Sequence, residues 1–422
     1  MNFRFALTAF LVLVFSLGFM QPFLFLFGQR INFTDFIFLF AFGLWFAALI
    51  FRQTFFRRSQ FYSPLVIYLF AFVCSTVFSI TPKLSVIKLL GEIYLIGLAV
   101  LSFNLIDTFE KLKKVFQVWL FATAIAGLTS LLTLVLFYLD RDNSLLLYTL
   151  SHYGTLPPGN YPRIESTFLN PNMLCNYLSV SLLILFASIK LKWINSVFSL
   201  ILLILLSIAC VFTLSPSLGG IILSSGLWLW LSFREKGNFN FARLSLMGGI
   251  FFALLFFLSA VVTPIPSETS PFYLKVPLIE KRLDPSSRVL AWETSLQTLS
   301  ENPFFGKGVG TDVAHAKYLN PSGRLETLLD AHQMWLNVAG QTGISGLFAL
   351  CFLCVFLFRR ANVFSFASQK LILQTALGIA FLSAFLYQGL TGSYEDARHL
   401  WVLIGLLASI SENDFPKILK KD

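Results

Sequence analysis

Residues 282–310 read RLDPSSRVLAWETSLQTLSENPFFGKGVG, and residues 330–348 read DAHQMWLNVAGQTGISGLF. With the insert between them, they form the longest part of the chain that is polar enough to leave a membrane. They carry two arginines, a histidine close to a tryptophan, and a turn rich in glycine. We therefore expect this stretch to hold functional residues, and the apolar segments around it to cross a bilayer.

The composition of the chain is typical of an integral membrane protein. Of its 422 residues, 56% are hydrophobic and 12% are charged, whereas about 25% of the residues in a soluble domain are charged. Apolar runs of about 18 residues or more recur along the whole sequence. They predict an all-α polytopic membrane protein, with residues 1–422 in one membrane domain. The first run lacks a small-residue cleavage site near Gly28, so we expect a retained helix rather than a cleaved signal peptide.

About twelve apolar segments are predicted to be membrane spans, each of which needs about 20 residues. They are residues 5–27, 33–51, 62–80, 86–106, 115–139, 172–189, 194–214, 218–233, 244–263, 334–358, 371–390 and 397–411. The eighth is short for a span. Two long polar loops, residues 140–171 and 264–333, interrupt the series, and the second is predicted to be partly helical.

The positive charges indicate how the chain is oriented. The net charge is +10, and most Lys and Arg residues lie in short clusters between apolar runs, as expected of cytoplasmic loops. The clusters are Arg52, Arg57 and Arg58; Lys111, Lys113 and Lys114; Lys190 and Lys192; Arg234, Lys236 and Arg243; Arg359, Arg360 and Lys370; and Lys417, Lys420 and Lys421. Both termini are therefore predicted to be cytoplasmic, and both long loops to be exported, away from ATP and nucleotide sugars. This distribution also argues against nucleic-acid binding.

Cysteine and histidine patterns indicate neither a disulfide framework nor a metal site. All five cysteines lie in or at the edge of apolar runs. Cys351 and Cys354 have CxxC spacing, but within CFLCVFLF we interpret them as packing or lipid-facing residues. The four histidines are scattered and form no metal-binding pair; they are His152, His315, His332 and His399.

A helix is predicted near the start of the quoted stretch. Asp284 suits its N-cap and Pro285 its first position, and Asn302 and Pro303 would end it. Apolar residues recur at helical spacing in between: Val289, Trp292, Leu296 and Leu299. Arg288 lies near the N-terminus of this helix, where the helix dipole favours anions. It shares a face with Trp292, so its guanidinium can stack on the indole.

Arginine is suited to phosphate because its planar fork donates two parallel hydrogen bonds and keeps its charge. The exported candidates are Arg141, Arg163, Arg282, Arg288, Arg324 and Arg398. A solvated loop charge is the alternative for each, above all for Arg141 and Arg324. Arg398 lies where the last short loop re-enters the membrane, so it is expected to be paired or functional. A structural salt bridge with Glu395 is the competing interpretation.

His332 stands where the tenth predicted span begins, next to Gln333 and close to Trp335. A neutral imidazole here can take the proton from an attacking hydroxyl. The alternative is an interfacial histidine that caps the helix, which the spacing alone favours. The sequence GKGVG at residues 306–310 loosely resembles a phosphate-binding loop, but it lacks the strand–loop–helix setting and the terminal Lys-Ser/Thr. We predict instead a turn that redirects the chain toward the membrane.

Three segments together resemble the O-antigen ligase and polymerase superfamily of bacterial membrane glycosyltransferases. RIESTFLNPNMLCNYLSVSLLI, residues 163–184, resembles the family's segment that enters the span after the first long outer loop. SSRVLAWETSLQTLSENPFFGKGVG resembles its Arg-x(3)-Trp helix with a following Pro and Gly-rich turn. AHQMWLNVAGQTGISGLF resembles its His-Asn segment, which enters the next span with Gly-x-x-Gly.

The resemblance implies an enzyme of the bacterial inner membrane that needs neither a nucleotide nor a metal or other cofactor. Its donor would be an undecaprenyl-pyrophosphate-linked glycan, and its acceptor a sugar hydroxyl of lipid A–core or of a growing glycan. His332 would act as the base or orient the acceptor, and Arg288 would bind the pyrophosphate. The further substrate-binding residues implied are Arg163, Arg282, Arg398, Gln333 and Trp335.

Two positions differ from the family pattern. The family often has an arginine after a serine between the seventh and eighth spans, where this chain reads TLSPSLGG with Pro216. One phosphate contact is therefore missing or comes from elsewhere. Gln333 follows His332 in place of the usual Asn, which preserves an amide.

The leading hypothesis for the function is a ligase that joins a lipid-linked glycan to lipid A–core. A polymerase of the same superfamily, which extends the glycan, is the alternative within this class. A lipid-glycan flippase or transporter is the alternative from another class. Transport needs polar groups at mid-membrane, and the predicted spans contain few charges apart from Glu92.

Overall fold

The computed structural model describes residues 3–21, 23–26, 29–151, 162–265, 274–275, 282–319, 325–361 and 363–412. The protein is mostly helical, at 73%. The helices are α1 (Phe3–Ser16), α2 (Phe33–Ile50), α3 (Tyr62–Val77), α4 (Pro82–Leu105), α5 (Phe109–Leu139), α6 (Leu146–Thr149), α7 (Pro171–Lys190), α8 (Ser196–Phe212), α9 (Leu218–Glu235), α10 (Phe239–Val261), α11 (Ser287–Glu301), α12 (Met334–Ala361), α13 (Gln369–Ala380) and α14 (Arg398–Glu412). This confirms the helical fold class predicted from the apolar runs.

Short antiparallel strands lie between the helices. The strands are β1 (Phe23–Leu26), β2 (Gln29–Asn32), β3 (Leu150–Ser151), β4 (Arg163–Ile164), β5 (Val262–Ile265), β6 (Leu274–Lys275), β7 (Arg282–Pro285), β8 (Ala316–Leu319) and β9 (Leu325–Leu328). β1 pairs with β2, β3 with β4 and β8 with β9, while β7 lies between β5 and β6. All except β1 and β2 lie in, or directly border, the two long polar loops. These loops are therefore folded in the parts that the structure describes.

Within the described residues, seven helices are long and apolar enough to cross a membrane: α2, α4, α5, α7, α10, α12 and the helical segment at residues 369–390. Three shorter apolar helices, α1, α3 and α8, accompany them. Each predicted span overlaps one helical segment, but the number of about twelve spans stays a prediction. The first predicted span, residues 5–27, is too long, because α1 ends at Ser16 and the β1–β2 hairpin follows it.

The most deeply buried helices surround the segment between α13 and α14. Most side chains of α7, α13 and α14 are buried, whereas those of α10 are mostly exposed and apolar, as expected for a surface that faces lipid. α13 continues into a π-helix (Phe381–Tyr387) and a 3₁₀-helix (Gln388–Leu390). A change of helical winding of this kind is often found at functional sites. Here it leads directly into the loop at residues 391–397.

The start of α11 differs from the prediction. Asp284 and Pro285 lie in β7, and Ser286 is the N-cap, so the helix begins at Ser287. The Ser286 hydroxyl donates to the carbonyl oxygen of Ala260 at 2.6 Å, which fixes the start of α11 against the end of α10. The predicted end at residue 302 agrees with the structure, in which Asn302 is the C-cap.

The GKGVG segment packs against an interruption in α12. The φ angles of its three glycines lie between 68° and 118°, and Gly343 within α12 has a φ of 68°. The backbone N–H groups of Lys307 and Gly308 donate to the carbonyl oxygens of Gly340 and Gln341, each at 3.0 Å. Because these N–H groups are already bonded to the helix, the structure supports the interpretation of GKGVG as a turn.

We predict that Gly343→Ala destabilises the protein. A Cβ at residue 343 would lie 2.4 Å from the carbonyl carbon of Phe304, and the backbone conformation, with φ 68° and ψ −164°, alone costs an alanine about 1–3 kcal/mol. Gly43→Ala is the control, because no described atom lies within 4 Å of a Cβ there. Thermal unfolding of the purified protein in detergent should show a clearly lower midpoint for Gly343→Ala only. Equal midpoints for the two variants would contradict the structural role of the interruption.

Candidate active site

The hydroxyl of Tyr394 lies between the starts of α7 and α9. It forms a 2.7 Å hydrogen bond with the hydroxyl of Ser217, the residue before α9, and donates to the carbonyl oxygen of Asn172 in α7 at 3.3 Å. Tyr394 itself is buried, and burial raises the pKa of its hydroxyl, which therefore stays protonated. Tyr394 thus holds the loop at residues 391–397 against α7 and α9.

Arg163 lies in the same region, at the start of β4. Its Nε donates to the carbonyl oxygen of Thr213 at 3.1 Å, and its Nη2 donates to Oδ1 of Asn172 at 3.2 Å. The hydroxyl of Ser215 donates to the same Oδ1 at 2.7 Å. The guanidinium of Arg163 is therefore fixed against the turn at residues 213–217. This turn contains Pro216, at the position where the family pattern has an arginine.

Arg288 is the second residue of α11, and its charge interacts with that of Arg163. Burial and then the charge of Arg288 lower the pKa of Arg163, which means that two like charges are held near each other. Burial also lowers the pKa of Arg288, while Tyr394 and Asp330 oppose this effect. Among the described residues, the buried Nη1 of Arg288 has no hydrogen-bond partner. Such an arrangement favours binding of an anion.

His332 lies between Asp330 and the start of α12. Its φ of 48° is unusual for a residue with a side chain, and its backbone N–H donates to Oδ1 of Asp330. The imidazole Nδ1 lies 3.8 Å from the same oxygen. Burial and, to a smaller extent, Arg288 lower the pKa of His332, whereas Asp330 raises it. The imidazole is therefore neutral near pH 7 and suited to accept a proton, and its side chain, 36% exposed, remains accessible.

The loop at residues 391–397 also contacts the His332 region. The hydroxyl of Ser393 donates to Oδ1 of Asp330 at 2.5 Å, and Nδ2 of Asn337 in α12 donates to Oε1 of Glu395. Burial, and then the carboxylates of Asp396 and Asp330, raise the pKa of Glu395 well above its usual value. A protonated Glu395 carboxyl adds no negative charge next to an anion site. This loop thus connects the part of the site around Arg163 with the part around His332.

Four helices begin at this place: α7, α9, α11 and α12. Asn172, Ser217, Arg288 and His332 each lie within two residues of one of these starts. Each helix start carries partial positive charge and unpaired N–H groups, and both favour an anion. The guanidinium groups of Arg163 and Arg288 add to this positive field. We therefore describe a candidate active site, formed by Arg163, Arg288, Asp330, His332 and Tyr394.

The predicted site residues divide into two groups. Arg163, Arg288 and His332 come together, as their shared electrostatic interactions show. Gln333 caps α12, since its Oε1 accepts the backbone N–H of Leu336 at 2.8 Å. Trp335 is half-buried and packs against the hydrophobic core. Arg282 is the first residue of β7, and its side chain lies outside the described part of the structure.

Arg398 is paired with Asp35, so the prediction that Glu395 is its partner is wrong. Nε of Arg398 lies 2.8 Å from Oδ1 of Asp35, and its Nη2 lies 2.9 Å from Oδ2. Nε also donates to the hydroxyl of Tyr94 at 3.2 Å, while Glu395 contacts Asn337. The bidentate pair occupies the Nε–Nη2 edge of the guanidinium, so this edge is not free to bind a phosphate. Arg398 thus joins α14 to α2. Among the described residues its side chain makes no contact with the candidate active site, so its role in substrate binding stays a prediction.

Of the other candidates, Arg324 and His152 lie outside the described residues. The guanidinium of Arg141 lies 5.0 Å from the ring centre of Phe137, near the end of α5. His399 is buried and bonded to Asn176 at 2.6 Å. In the part of the chain that the structure describes, no group of three or more His, Cys, Asp or Glu side chains could hold a metal ion.

Sequence reasoning missed Tyr394, Asp330 and Asn172. A buried tyrosine between two apolar spans resembles an interfacial aromatic residue, so composition alone did not distinguish it. Asp330 carried a usable signal, because a carboxylate two residues before a histidine can bond to that histidine's backbone or ring. Asn172 lies in the quoted family segment, but its contact with Arg163 depends on how two loops meet.

Residues 200–351 match the family model described as O-antigen ligase. The match supports the O-antigen ligase superfamily, which the sequence segments had predicted. It includes Arg288 and His332, the turn at residues 213–217, and helices α9 to α11, whereas Arg163 and Tyr394 lie outside it. No curated protein matches the chain.

The match supports a bacterial membrane glycosyltransferase of the O-antigen ligase or polymerase type, which acts on lipid-linked glycans in general. The candidate active site of this O-antigen ligase-like protein lies partly within the matched segment. Its remaining residues come from the first long loop and from the loop at residues 391–397. The functional groups are therefore contributed by parts of the chain more than 200 residues apart, as Arg163 and Tyr394 show.

We predict that Asp35 and Arg398 stabilise the fold as a pair. The side chains are about one-fifth exposed, so Asp35→Asn or Arg398→Gln should each lower the free energy of unfolding by roughly 2 kcal/mol. The double variant should lower the free energy of unfolding by less than the sum of the two single variants, as measured by unfolding in detergent. Asp396→Asn, which removes the more exposed Lys88 pair, is the control and should cost under about 1 kcal/mol. Additive effects would show that Arg398 and Asp35 act independently.

Proposed function

We propose that this protein is a ligase that transfers a glycan from undecaprenyl pyrophosphate to a sugar hydroxyl of lipid A–core. The reaction would take place on the periplasmic side of the inner membrane, with both chain termini in the cytoplasm. A bond from the acceptor oxygen to the anomeric carbon forms, and the bond from that carbon to the pyrophosphate oxygen breaks. The acceptor hydroxyl loses a proton, and the undecaprenyl pyrophosphate leaves with an additional negative charge.

The observation that carries this proposal is the unpaired Nη1 of Arg288 beside the charge of Arg163. A buried guanidinium near a second one is costly unless an anion compensates for both. The pyrophosphate of the donor supplies that anion, and its negative charge increases as the glycosidic bond breaks. Fixed donors that are oriented before the reaction stabilise this developing charge. We propose that these guanidinium groups take the role that a divalent cation has in other pyrophosphate chemistry.

His332 is proposed to accept the proton of the attacking hydroxyl. Its imidazole is neutral and partly exposed, and it is close enough to Arg288 for the charge of Arg288 to lower its pKa. An acceptor that binds next to His332 would therefore approach the sugar from the side of the base, while the pyrophosphate lies toward Arg288 and Arg163. Base and leaving-group binding are thus assigned to different side chains of one site.

The predicted topology supports this proposal. Arg163 comes from the loop at residues 140–171, Arg288 and His332 from the loop at residues 264–333, and Tyr394 from the loop that precedes the last predicted span. The positive-inside rule predicts that all three loops are exported. These loops meet at a single site in the structure, which agrees with the prediction that they lie on the same side of the membrane.

A polymerase that extends the glycan remains the second candidate, because the family match fits both reaction types. Both use the same donor, and they differ in the acceptor. The Arg163–Arg288 pair concerns the donor and does not distinguish the two. The side of the site around His332 is where an acceptor would determine the outcome.

We predict that deletion of the gene leaves lipopolysaccharide without long chains, while the undecaprenyl-linked polymer persists. Gel analysis of lipopolysaccharide and of lipid-linked glycan checks this. Lipopolysaccharide capped with a single repeat unit would indicate the polymerase instead, and an unchanged ladder would exclude both.

A topology reporter fused near Lys317 should be active on the periplasmic side, and a cytoplasmic signal would contradict the placement of the site.

We also predict that Arg288→Lys and Arg163→Lys lower kcat for glycan transfer by roughly 10- to 100-fold, because lysine cannot reproduce the planar fork. The assay uses purified protein, a defined undecaprenyl-pyrophosphate donor and a lipid A–core acceptor. Arg141→Lys, in the same predicted exported loop as Arg163, is the matched control and should retain activity. Equal activity of all three variants would remove the guanidinium groups from leaving-group stabilisation.

A further inference from the structure

We propose that Asp330 is a positioning residue for His332: it fixes the backbone of His332 and stabilises the imidazolium that forms when His332 accepts a proton. This inference rests on the proposed function, because it assigns a partner to the proposed base. Its evidence is separate from the arginine contacts, and it concerns a residue to which neither the sequence pattern nor the family match gives a role.

The first argument is the backbone of His332. A φ of 48° places this residue in the left-handed region, which residues with a side chain rarely occupy. The backbone N–H of His332 donates to Oδ1 of Asp330, and this bond compensates for the unfavourable conformation. The direction of the imidazole depends on the backbone, so the Asp330 carboxylate also determines where the ring points.

The second argument is that Asp330 is itself held in place. Oδ1 of Asp330 accepts a second hydrogen bond from the hydroxyl of Ser393. The residues next to Ser393 are fixed as well, because Tyr394 bonds to Ser217 and Glu395 bonds to Asn337. The carboxylate is therefore held from both sides, by the His332 backbone and by the loop at residues 391–397.

The third argument is charge. Nδ1 of His332 lies 3.8 Å from Oδ1 of Asp330, within the range of an ion pair once the ring is protonated. Two charged groups face the imidazole: Asp330 from its own loop, which favours the imidazolium, and Arg288 from α11, which opposes it. Glu395 lies near Asp330 and is kept protonated by burial. Of the charged groups that the structure describes around the imidazole, Asp330 is thus the one that favours proton uptake by His332.

The proton balance of the step is simple. The O–H bond of the acceptor hydroxyl breaks, an N–H bond forms on the imidazole, and the ring gains a positive charge near the carboxylate. The electron pair of the acceptor oxygen forms the new glycosidic bond. Asp330 stays deprotonated throughout, in line with the role of a carboxylate that orients a histidine base.

The test uses Asp330→Asn in the full-length protein. The asparagine Oδ1 can still accept both hydrogen bonds, so the variant removes the charge and preserves the geometry. We expect kcat to fall about tenfold or more, with little change in KM. The acidic limb of the kcat–pH profile should also move to lower pH, because His332 loses the charge that raises its pKa. A purely structural role would lower stability and leave that limb in place.

Two control variants accompany it. Asp312→Asn removes an equal charge from an exposed position in the same predicted exported loop and should change neither kcat nor the limb. Ser393→Ala removes one hydrogen bond to Asp330 but retains the carboxylate, so the limb should stay in place while kcat falls less. Unfolding midpoints in detergent show whether each variant is folded.

The outcomes separate this inference from the proposed function. If His332→Ala is inactive and Asp330→Asn has wild-type kcat and an unshifted limb, the inference is overturned and the function stands. If wild-type protein transfers glycan to neither lipid A–core nor a growing glycan, the proposed function fails. In that case an NMR titration of labelled His332 still tests the pair. A titration midpoint that does not move to lower pH in Asp330→Asn would then refute the inference.

Discussion

The hydroxyl of Tyr394 joins a series of buried hydrogen bonds on which the candidate active site depends. Ser217 accepts from Nε2 of Gln388 through its carbonyl oxygen at 2.9 Å, while its hydroxyl bonds to Tyr394. Nδ2 of Asn176 donates to Oε1 of Gln388 at 2.6 Å, and Oδ1 of Asn176 bonds to the ring of His399 at 2.6 Å. Within an apolar bundle, a buried polar group without a partner costs free energy, so each of these bonds restricts the position of the next. The series therefore fixes the starts of α7, α9 and α14 relative to one another.

The sequence was informative about where helices form, because an apolar run of about 20 residues has few other stable conformations in a membrane. It was less informative about where they end. The apolar character of residues 17–27 continues after α1 has ended, so composition could not show that a β-hairpin follows. At α11, Asp284 and Ser286 are both good N-caps, and pairing of β7 with β5 decides between them.

Tertiary contacts explain which site residues could be predicted. Arg288 and His332 were recognisable because each lies near a helix start within a polar stretch. The partner of Arg398 was not, since Glu395 is three residues away and Asp35 is 363 residues away. Local spacing favours the near partner, whereas the packing of α14 against α4 places Arg398 next to Tyr94 and Asp35. Tyr394 was missed for the same reason, because its role exists only where three distant segments meet.

A protein that holds two guanidinium groups and four helix starts together loses stability at that place when no anion is bound. The surrounding structure must compensate, and the bonds of Arg163 to Thr213 and Asn172 do so only in part, because among the described residues Nη1 of Arg288 still has no partner. The same bonds bring a guanidinium to the turn at residues 213–217, in which this chain has proline at residue 216. The guanidinium that the turn itself lacks comes from Arg163, which reaches the turn from β4. Under the proposed function, positive charge near the leaving group would then come from Arg163 and not from a residue of this turn.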